Sequence, residues 1–346
     1  MKLKNLILVS MIALGCCFGS TAAIAQAKQK VVLVMSGGGF YYLPHFIAEA
    51  AGFYAAEGLD PEVVNVPSGK QIMAAIVGGS GDVGLVGLQH YADVVAQGGD
   101  VVALGTLYDI YPMQLVLSTD ALKKKGITPG MSVDETVKRL QGLRIATTGP
   151  GTGTELLVRT LLITRGMDPD KDLSLRPVRS GAPMIAAMTQ GLVDGFVHVP
   201  PTTTLVERQN TGRMVINPLL GNVPELQDVP YLVVGSTRAT VLKKRDLLIK
   251  TTRAIARASQ LARDKPEEAQ RSVRQLFKTM EDGEYRETFI AFAKGFPTSP
   301  IITAEQLKKT LVMNNLSAPV KINPSYASVV DPSLATEVAK SLTRKN

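Results

Sequence analysis

Leu143-Arg144-Ile145-Ala146-Thr147-Thr148-Gly149-Pro150-Gly151-Thr152-Gly153-Thr154-Glu155 joins a short apolar run, a glycine and threonine loop and the start of a helical pattern without interruption. That order predicts a strand, a tight turn and a helix N-terminus. Leu156, Leu157, Thr160, Leu161 and Ile163 recur at helical spacing, which lays the helix on a sheet and ends it before Gly166. The loop therefore sits at the carboxyl end of a strand in an α/β unit. There the first helical N–H groups lack intrahelical partners, the helix dipole is positive and glycines let the main chain approach a guest. These are the properties of an anion site, although Thr152 or Thr154 capping its own helix accounts for the same residues. Nucleotide loops are excluded: Thr154 and Glu155, not Lys and Ser or Thr, follow Gly153, and the third glycine of G-x-G-x-x-G is missing.

An internal repeat surrounds this stretch. Val66-Pro67-Ser68-Gly69-Lys70-Gln71-Ile72-Met73-Ala74-Ala75-Ile76 aligns without gaps, at an offset of 112 residues, with Val178-Arg179-Ser180-Gly181-Ala182-Pro183-Met184-Ile185-Ala186-Ala187-Met188. In the same register Gly79 meets Gly191 and Asp82 meets Asp194, while Gly58-Leu59-Asp60-Pro61 resembles Gly166-Met167-Asp168-Pro169 at an offset of 108. One α/β lobe is built twice, and Val31-Val32-Leu33-Val34-Met35-Ser36-Gly37-Gly38-Gly39-Phe40 is the first lobe's version of the opening stretch. Two such loops facing across a cleft would enclose a small molecule.

Residues 1–27 read as a secretory signal peptide: Lys2 and Lys4, an apolar run from Leu6 to Leu14, and the A-x-A site Ala25-Gln26-Ala27. That site is a better match than Leu14-Gly15-Cys16-Cys17 is to a lipobox, so cleavage is expected in preference to a lipid anchor at Cys16 or Cys17. Cleavage removes both cysteines, and with them any disulfide, thiolate nucleophile or cysteine metal site. It also removes two lysines and no acid, taking the formal charge from +8 to +6. The remaining charge is scattered through Lys123-Lys124-Lys125, Lys243-Lys244-Arg245 and Lys308-Lys309 without interleaved aromatics, so nucleic acid is not an expected partner. A mildly positive field favours encounter with anions.

The mature chain suits two lobes, with residues 28–112 and 218–346 in lobe 1 and 113–217 in lobe 2. Pro44 to Ala56 is expected as one helix. The loop before it, Gly37-Gly38-Gly39-Phe40-Tyr41-Tyr42, holds three consecutive aromatics in a chain with nine Phe, nine Tyr and no Trp, which favours ligand contact by Phe40 or Tyr41. Met113 to Leu117 leaves lobe 1; Val215-Ile216-Asn217-Pro218 and Tyr231-Leu232-Val233-Val234-Gly235 read as strands returning to it. The two crossings form a hinge. Pro200 and Pro201 end the strand Gly195 to Val199 and turn the chain out at the sheet edge. Helices are expected over Asp246 to Arg263, Pro266 to Met280 and Thr303 to Asn314, the last with a Thr303–Gln306 capping box.

Little supports catalysis. G-x-S-x-G is absent, and Asp82 and Asp194 are better explained as fixing the turns beside them. His45, His90 and His198 fall near strand ends, where three histidines meeting in a cleft could bind zinc, but H-x-x-H and H-E-x-x-H spacings are missing. Hydrogen bonding to a ligand is the expected role, with no metal and no cofactor.

At the level of whole motifs the chain resembles the periplasmic substrate-binding proteins of ABC importers. The residues are Phe53-Tyr54-Ala55-Ala56-Glu57-Gly58-Leu59-Asp60, Asp82-Val83-Gly84, Gly142-Leu143-Arg144-Ile145 with Pro150-Gly151-Thr152, Gly166-Met167-Asp168-Pro169, and Tyr326-Ala327-Ser328-Val329-Val330-Asp331-Pro332. The group it is most similar to binds nitrate, sulfonates, taurine and bicarbonate, and includes binders of the pyrimidine precursor of thiamine. The resemblance implies an α/β, two-lobed type II periplasmic-binding-protein fold with two crossover strands. It also implies a monomeric periplasmic receptor, with an inner-membrane ABC permease as partner. By position it assigns ligand contacts to Phe40, Tyr41, Leu88, Gln89, His90, Thr148, Gly151, Thr152, Gly153, Thr154 and His198. The glycine and tyrosine richness of the first loop points to a small organic anion, a sulfonate or carboxylate. A binder of the thiamine pyrimidine precursor and a periplasmic metal-dependent enzyme are the alternatives.

Overall fold

The computed structural model describes residues 27–343 with the exception of 180 and 319, so residues 1–26 of the expected leader, with both cysteines, lie outside the described residues. The chain begins with β1 (Gln29–Met35), α1 (Leu43–Ala50), α2 (Phe53–Ala56), β2 (Leu59–Asn65), α3 (Gly69–Val77), β3 (Val83–Val86), α4 (Leu88–Ala96) and β4 (Val101–Tyr108). It then repeats itself: β5 (Gln114–Ser118), α5 (Thr119–Lys125) and α6 (Val133–Lys138) lead into β6 (Arg144–Thr147), α7 (Gly153–Ile163), β7 (Ser174–Pro177), α8 (Gly181–Thr189), β8 (Gly195–His198), α9 (Thr202–Arg208) and β9 (Gly212–Ile216). After β10 (Leu232–Thr237) the remainder is helical, with α10 (Arg238–Asp264), α11 (Pro266–Val273), α12 (Asp282–Ala293), α13 (Ala304–Ser317), α14 (Tyr326–Val329) and α15 (Pro332–Thr343). Among the described residues no helix is long and apolar enough to cross a membrane.

Two five-stranded sheets result, ordered β2-β1-β3-β10-β4 and β7-β6-β8-β5-β9. The orders correspond strand for strand, and in each the fourth position is an antiparallel strand that follows a crossing. Asp82 and Asp194 show the repeat at atomic scale. Asp82 Oδ2 accepts from Val32 N at 2.9 Å and Asp194 Oδ2 from Arg144 N at 2.8 Å, so each carboxylate ties its turn to the first strand of its own copy of the repeat, β1 or β6.

Local sequence explains most boundaries. Thr303 and Gln306 form the expected capping box at the start of α13. The helix expected over Pro44 to Ala56 is instead two, because Gly52 takes φ +73 between α1 and α2. The return crossing contains short 3-10 turns at Pro218–Leu220 and Pro224–Leu226 rather than strand continuing through Pro218. Pro200 and Pro201 follow β8, a central strand, so the chain leaves at the strand's carboxyl end and not at a sheet edge.

The helical tail covers the exposed side of the first sheet. β4 is an edge strand, yet it is buried throughout. Its free backbone is matched by the tail: Thr106 N donates to Pro300 O at 2.8 Å and Asp331 N to Ala103 O at 3.0 Å. An unpaired edge is thereby closed.

Candidate functional site

Both crossings connect the same ends of the sheets. β4 stops at Tyr108 and β5 starts at Gln114, which pairs with His198, the last residue of β8. β9 stops at Ile216 and β10 starts at Leu232, which pairs with Tyr108. The carboxyl edges of the two sheets therefore face each other, and the loops that follow β1, β3, β6 and β8 converge there.

The loop after β1 divides its three aromatics among different jobs. Phe40 is fully buried, its ring 4.1 Å from Phe277 and 5.4 Å from Phe292 between centroids, so it belongs to the core and not to a ligand surface as the sequence suggested. The tail helices create that pocket, which no local pattern encodes. Tyr42 is also buried; its hydroxyl accepts from Ser36 N and donates to Leu85 O, both at 3.1 Å, pinning the loop to β3. Tyr41 alone stays half-exposed.

Tyr41 starts an aromatic chain between the lobes. Its ring lies 5.2 Å from Tyr231 in the return crossing, and Tyr231 lies 5.2 Å from Tyr111 in the outgoing one, both edge to face. Tyr111 Oη donates to Gly153 O at 2.6 Å, reaching the first residue of α7. A Cβ on Gly153 would stand 3.1 Å from the Tyr231 hydroxyl and 3.2 Å from that of Tyr111, so a glycine there admits both. Burial pushes the Tyr41 phenol up to about 12, keeping it a neutral hydrogen-bonding group.

On the lobe 2 side the loop is knitted to itself. Thr154 Oγ1 accepts from Thr148 N at 2.8 Å and lies 2.8 Å and 3.0 Å from the Thr148 and Thr152 hydroxyls, while Thr152 Oγ1 donates to Gly149 O at 2.6 Å. Gly151 N donates to Glu155 Oε2 at 2.6 Å, and Glu155 is held in turn by Arg159 at 2.9 Å. The carboxylate of Glu155 thus occupies the place expected for a guest anion. Thr152, Thr154 and Gly151 shape the loop, whereas the N–H groups of Gly153 and Thr154 retain no intrahelical partner. Thr154→Val removes three contacts at constant shape and leaves the Thr148 N–H unpaired; it is expected to cost about 1–3 kcal/mol in urea unfolding. An unchanged unfolding midpoint would show that the network is dispensable.

The start of α4 divides in the same way. Leu88 is fully buried in the second core cluster, so its side chain is packing and not a ligand contact. Gln89 and His90 are half-buried. The Gln89 amide folds over Gly87 and the His90 imidazole over Gly69, each occupying the space a Cβ would need. Burial and the neighbouring Lys70 ammonium hold His90 down to about 4, so the ring is neutral near pH 7. His198 is half-buried at the carboxyl edge of β8, its Nδ1 3.2 Å from Val199 O, and burial lowers its pKa as well. It lies two residues past the Ala146–Phe196 pair, level with Thr148. His45 is elsewhere: it is fully buried in α1, with Nδ1 2.9 Å from the Tyr54 hydroxyl. Among the described residues no cluster of three or more His, Cys, Asp or Glu could hold a metal.

Sequence reasoning missed Lys70, Tyr111 and Tyr231. Lys70 had a signal, since a lysine in the first turn of a helix opposes the dipole. Tyr111 and Tyr231 had only their places in the crossings. A cavity of about 320 Å3 also opens on lobe 2 beside Pro150 and Pro177, but its Arg159 guanidinium is already bound by Glu155 and Asp170.

Known proteins match this arrangement. YtlA of Bacillus subtilis (strain 168), named as a binding protein, is 26% identical over 245 residues, covering 69% of this chain and 69% of its own length. A 4-amino-5-hydroxymethyl-2-methylpyrimidine phosphate synthase of Legionella pneumophila (strain Philadelphia 1) is 26% identical over 181 residues, 51% of this chain and 52% of that enzyme. The solved periplasmic aliphatic sulphonate binding protein SsuA from Escherichia coli superposes with a TM-score of 0.66 at 16% identity, covering 88% of this chain and 93% of SsuA. That likeness establishes a shared periplasmic-binding-protein fold. The sequence profile of the NMT1-like family matches residues 40–277, well over half of the chain, from the end of the loop after β1 through both crossings. The chain belongs to the NMT1-like family.

Proposed function

We propose that this protein is the solute receptor of an ABC importer, working in the periplasm after export by its leader. It takes a small organic anion into the cleft between lobe 1 (28–112 and 218–346) and lobe 2 (113–217), and delivers it to an inner-membrane permease as a monomer. The observation that carries the reading is the run Tyr41–Tyr231–Tyr111–Gly153, which links the lobe 1 loop through both crossings to the lobe 2 helix. A ligand seated along it touches both lobes and favours the closed state by its differential affinity. Candidate contacts are Tyr41, Gln89, His90, Thr148, Gly153 and His198. A flat pyrimidine is the second reading, favoured by the edge-to-face tyrosines and by the neutral His90.

A melting-temperature screen of sulfonates, carboxylates, nitrate and the thiamine pyrimidine precursor selects the compound, and small-angle scattering then tests closure. The radius of gyration is expected to fall at saturation. A compound that binds without reducing the radius would count against a hinged receptor.

A further inference from the structure

The internal repeat lets one lobe serve as the reference for the other. At the offset of 112 residues, Gly69 corresponds to Gly181, Lys70 to Ala182 and His90 to Thr202. The first and last of these make the same contact in space: a Cβ on Gly69 would land on the His90 imidazole, and one on Gly181 on the Thr202 hydroxyl. The α/β unit itself therefore places a side chain from the start of one helix, α4 or α9, over the glycine that opens the helix before it, α3 or α8. What differs between the lobes is chemistry. Lobe 2 carries a methyl and a hydroxyl there, and lobe 1 an ammonium and an imidazole.

Helix formation does not ask for that lysine, which sits at the positive end of α3. The side chain of Lys70 is exposed. Asp93, one turn along α4, feels its charge, but Asp93 Oδ1 takes a hydrogen bond from Asn314 at 2.9 Å. The Lys70 ammonium reaches across the cleft, to 3.9 Å from the position of a Cβ on Gly151. Gly151 and Gly153 are two residues apart, so Lys70 and the tyrosine hydroxyls approach neighbouring positions of one lobe 2 turn. That turn already has a carboxylate on its N–H group, from Glu155. Glu155, itself paired with Arg159, leaves that N–H group taken, and the positive charge of Lys70 is on the facing side.

We propose that the anionic group of the ligand is held by lobe 1, against the Lys70 ammonium and the His90 imidazole, with the rest of the ligand lying along Tyr41 and Tyr231. This rests on the receptor reading and assigns the polarity of the cleft. Calorimetry with two matched pairs tests it: benzoate against benzamide, and benzenesulfonate against benzenesulfonamide. The wild-type protein is expected to prefer at least one anion over its neutral partner. In Lys70→Met the affinity for that anion falls roughly 10- to 100-fold while the neutral partner binds as before, and Lys70→Arg restores much of the preference. The neutral compound also controls for folding, since a damaged protein would lose both. A Lys70→Met protein that keeps the preference overturns the role of Lys70 and leaves the receptor reading intact. Equal binding of anion and neutral partner by the wild type does the same. Failure of the wild type to bind any of the four overturns the organic-anion reading together with the proposal.

Discussion

Replacing Phe40 by alanine is expected to destabilise the protein by about 3–5 kcal/mol, the usual cost of deleting a large buried aromatic and leaving its cavity. The ring is fully buried and touches a cluster of Phe277, Tyr285 and Phe292, with centroid distances of 4.1, 6.1 and 5.4 Å. These partners belong to the helical tail, so the residue joins the glycine loop after β1 to elements more than 200 residues away. Guanidinium unfolding followed by circular dichroism measures the effect. Tyr41→Ala, one residue on, is the internal contrast. Its half-exposed ring packs on Tyr42 and Tyr231, and its loss should weaken ligand binding more than it weakens the fold. If Phe40→Ala melted like the wild type and lost ligand affinity, the division of labour between the two aromatics would be reversed.

Acid is expected to destabilise the protein through His45. The imidazole is fully buried, bonded through Nδ1 to the Tyr54 hydroxyl at 2.9 Å, and its Nε2 has no partner among the described residues. Burial holds its pKa down to about 4, against 6.5 for the free side chain. The unfolded chain therefore binds a proton between those values that the folded chain refuses. The associated stability is fully present above pH 6.5, falls as the pH drops towards 4, and levels below that. Linkage puts the full loss at about 3 kcal/mol. His45→Asn keeps an acceptor for Tyr54 and abolishes the titration. Unfolding free energies measured from pH 7 to 4 should fall less steeply in the variant by that amount. Identical slopes would place the acid sensitivity in other groups.

Local features were legible along the chain. Gly149 to Thr154 announced a strand end and a helix start because glycine tolerance and unpaired helical N–H groups are properties of a few neighbouring residues. The Thr303–Gln306 box needed one helical turn. The repeat exposed the two-lobed architecture, since matching residues at a fixed offset make matching contacts, as Asp82 and Asp194 do with Val32 and Arg144. Which side chains are buried and which stay accessible depends on packing between distant elements. Phe40 and Leu88 had the position of ligand contacts but were drawn into apolar pockets assembled by distant elements, where burial of their surface is favoured. Gly151 had a free N–H only until Glu155 folded back onto it. Lys70, Tyr111 and Tyr231 come from α3 and from the two crossings, and they meet the α7 loop only when the sheets face each other. Periodicity and backbone chemistry act over a few residues and can be read along the chain, whereas the surface a side chain meets is set by packing between segments that the sequence keeps far apart.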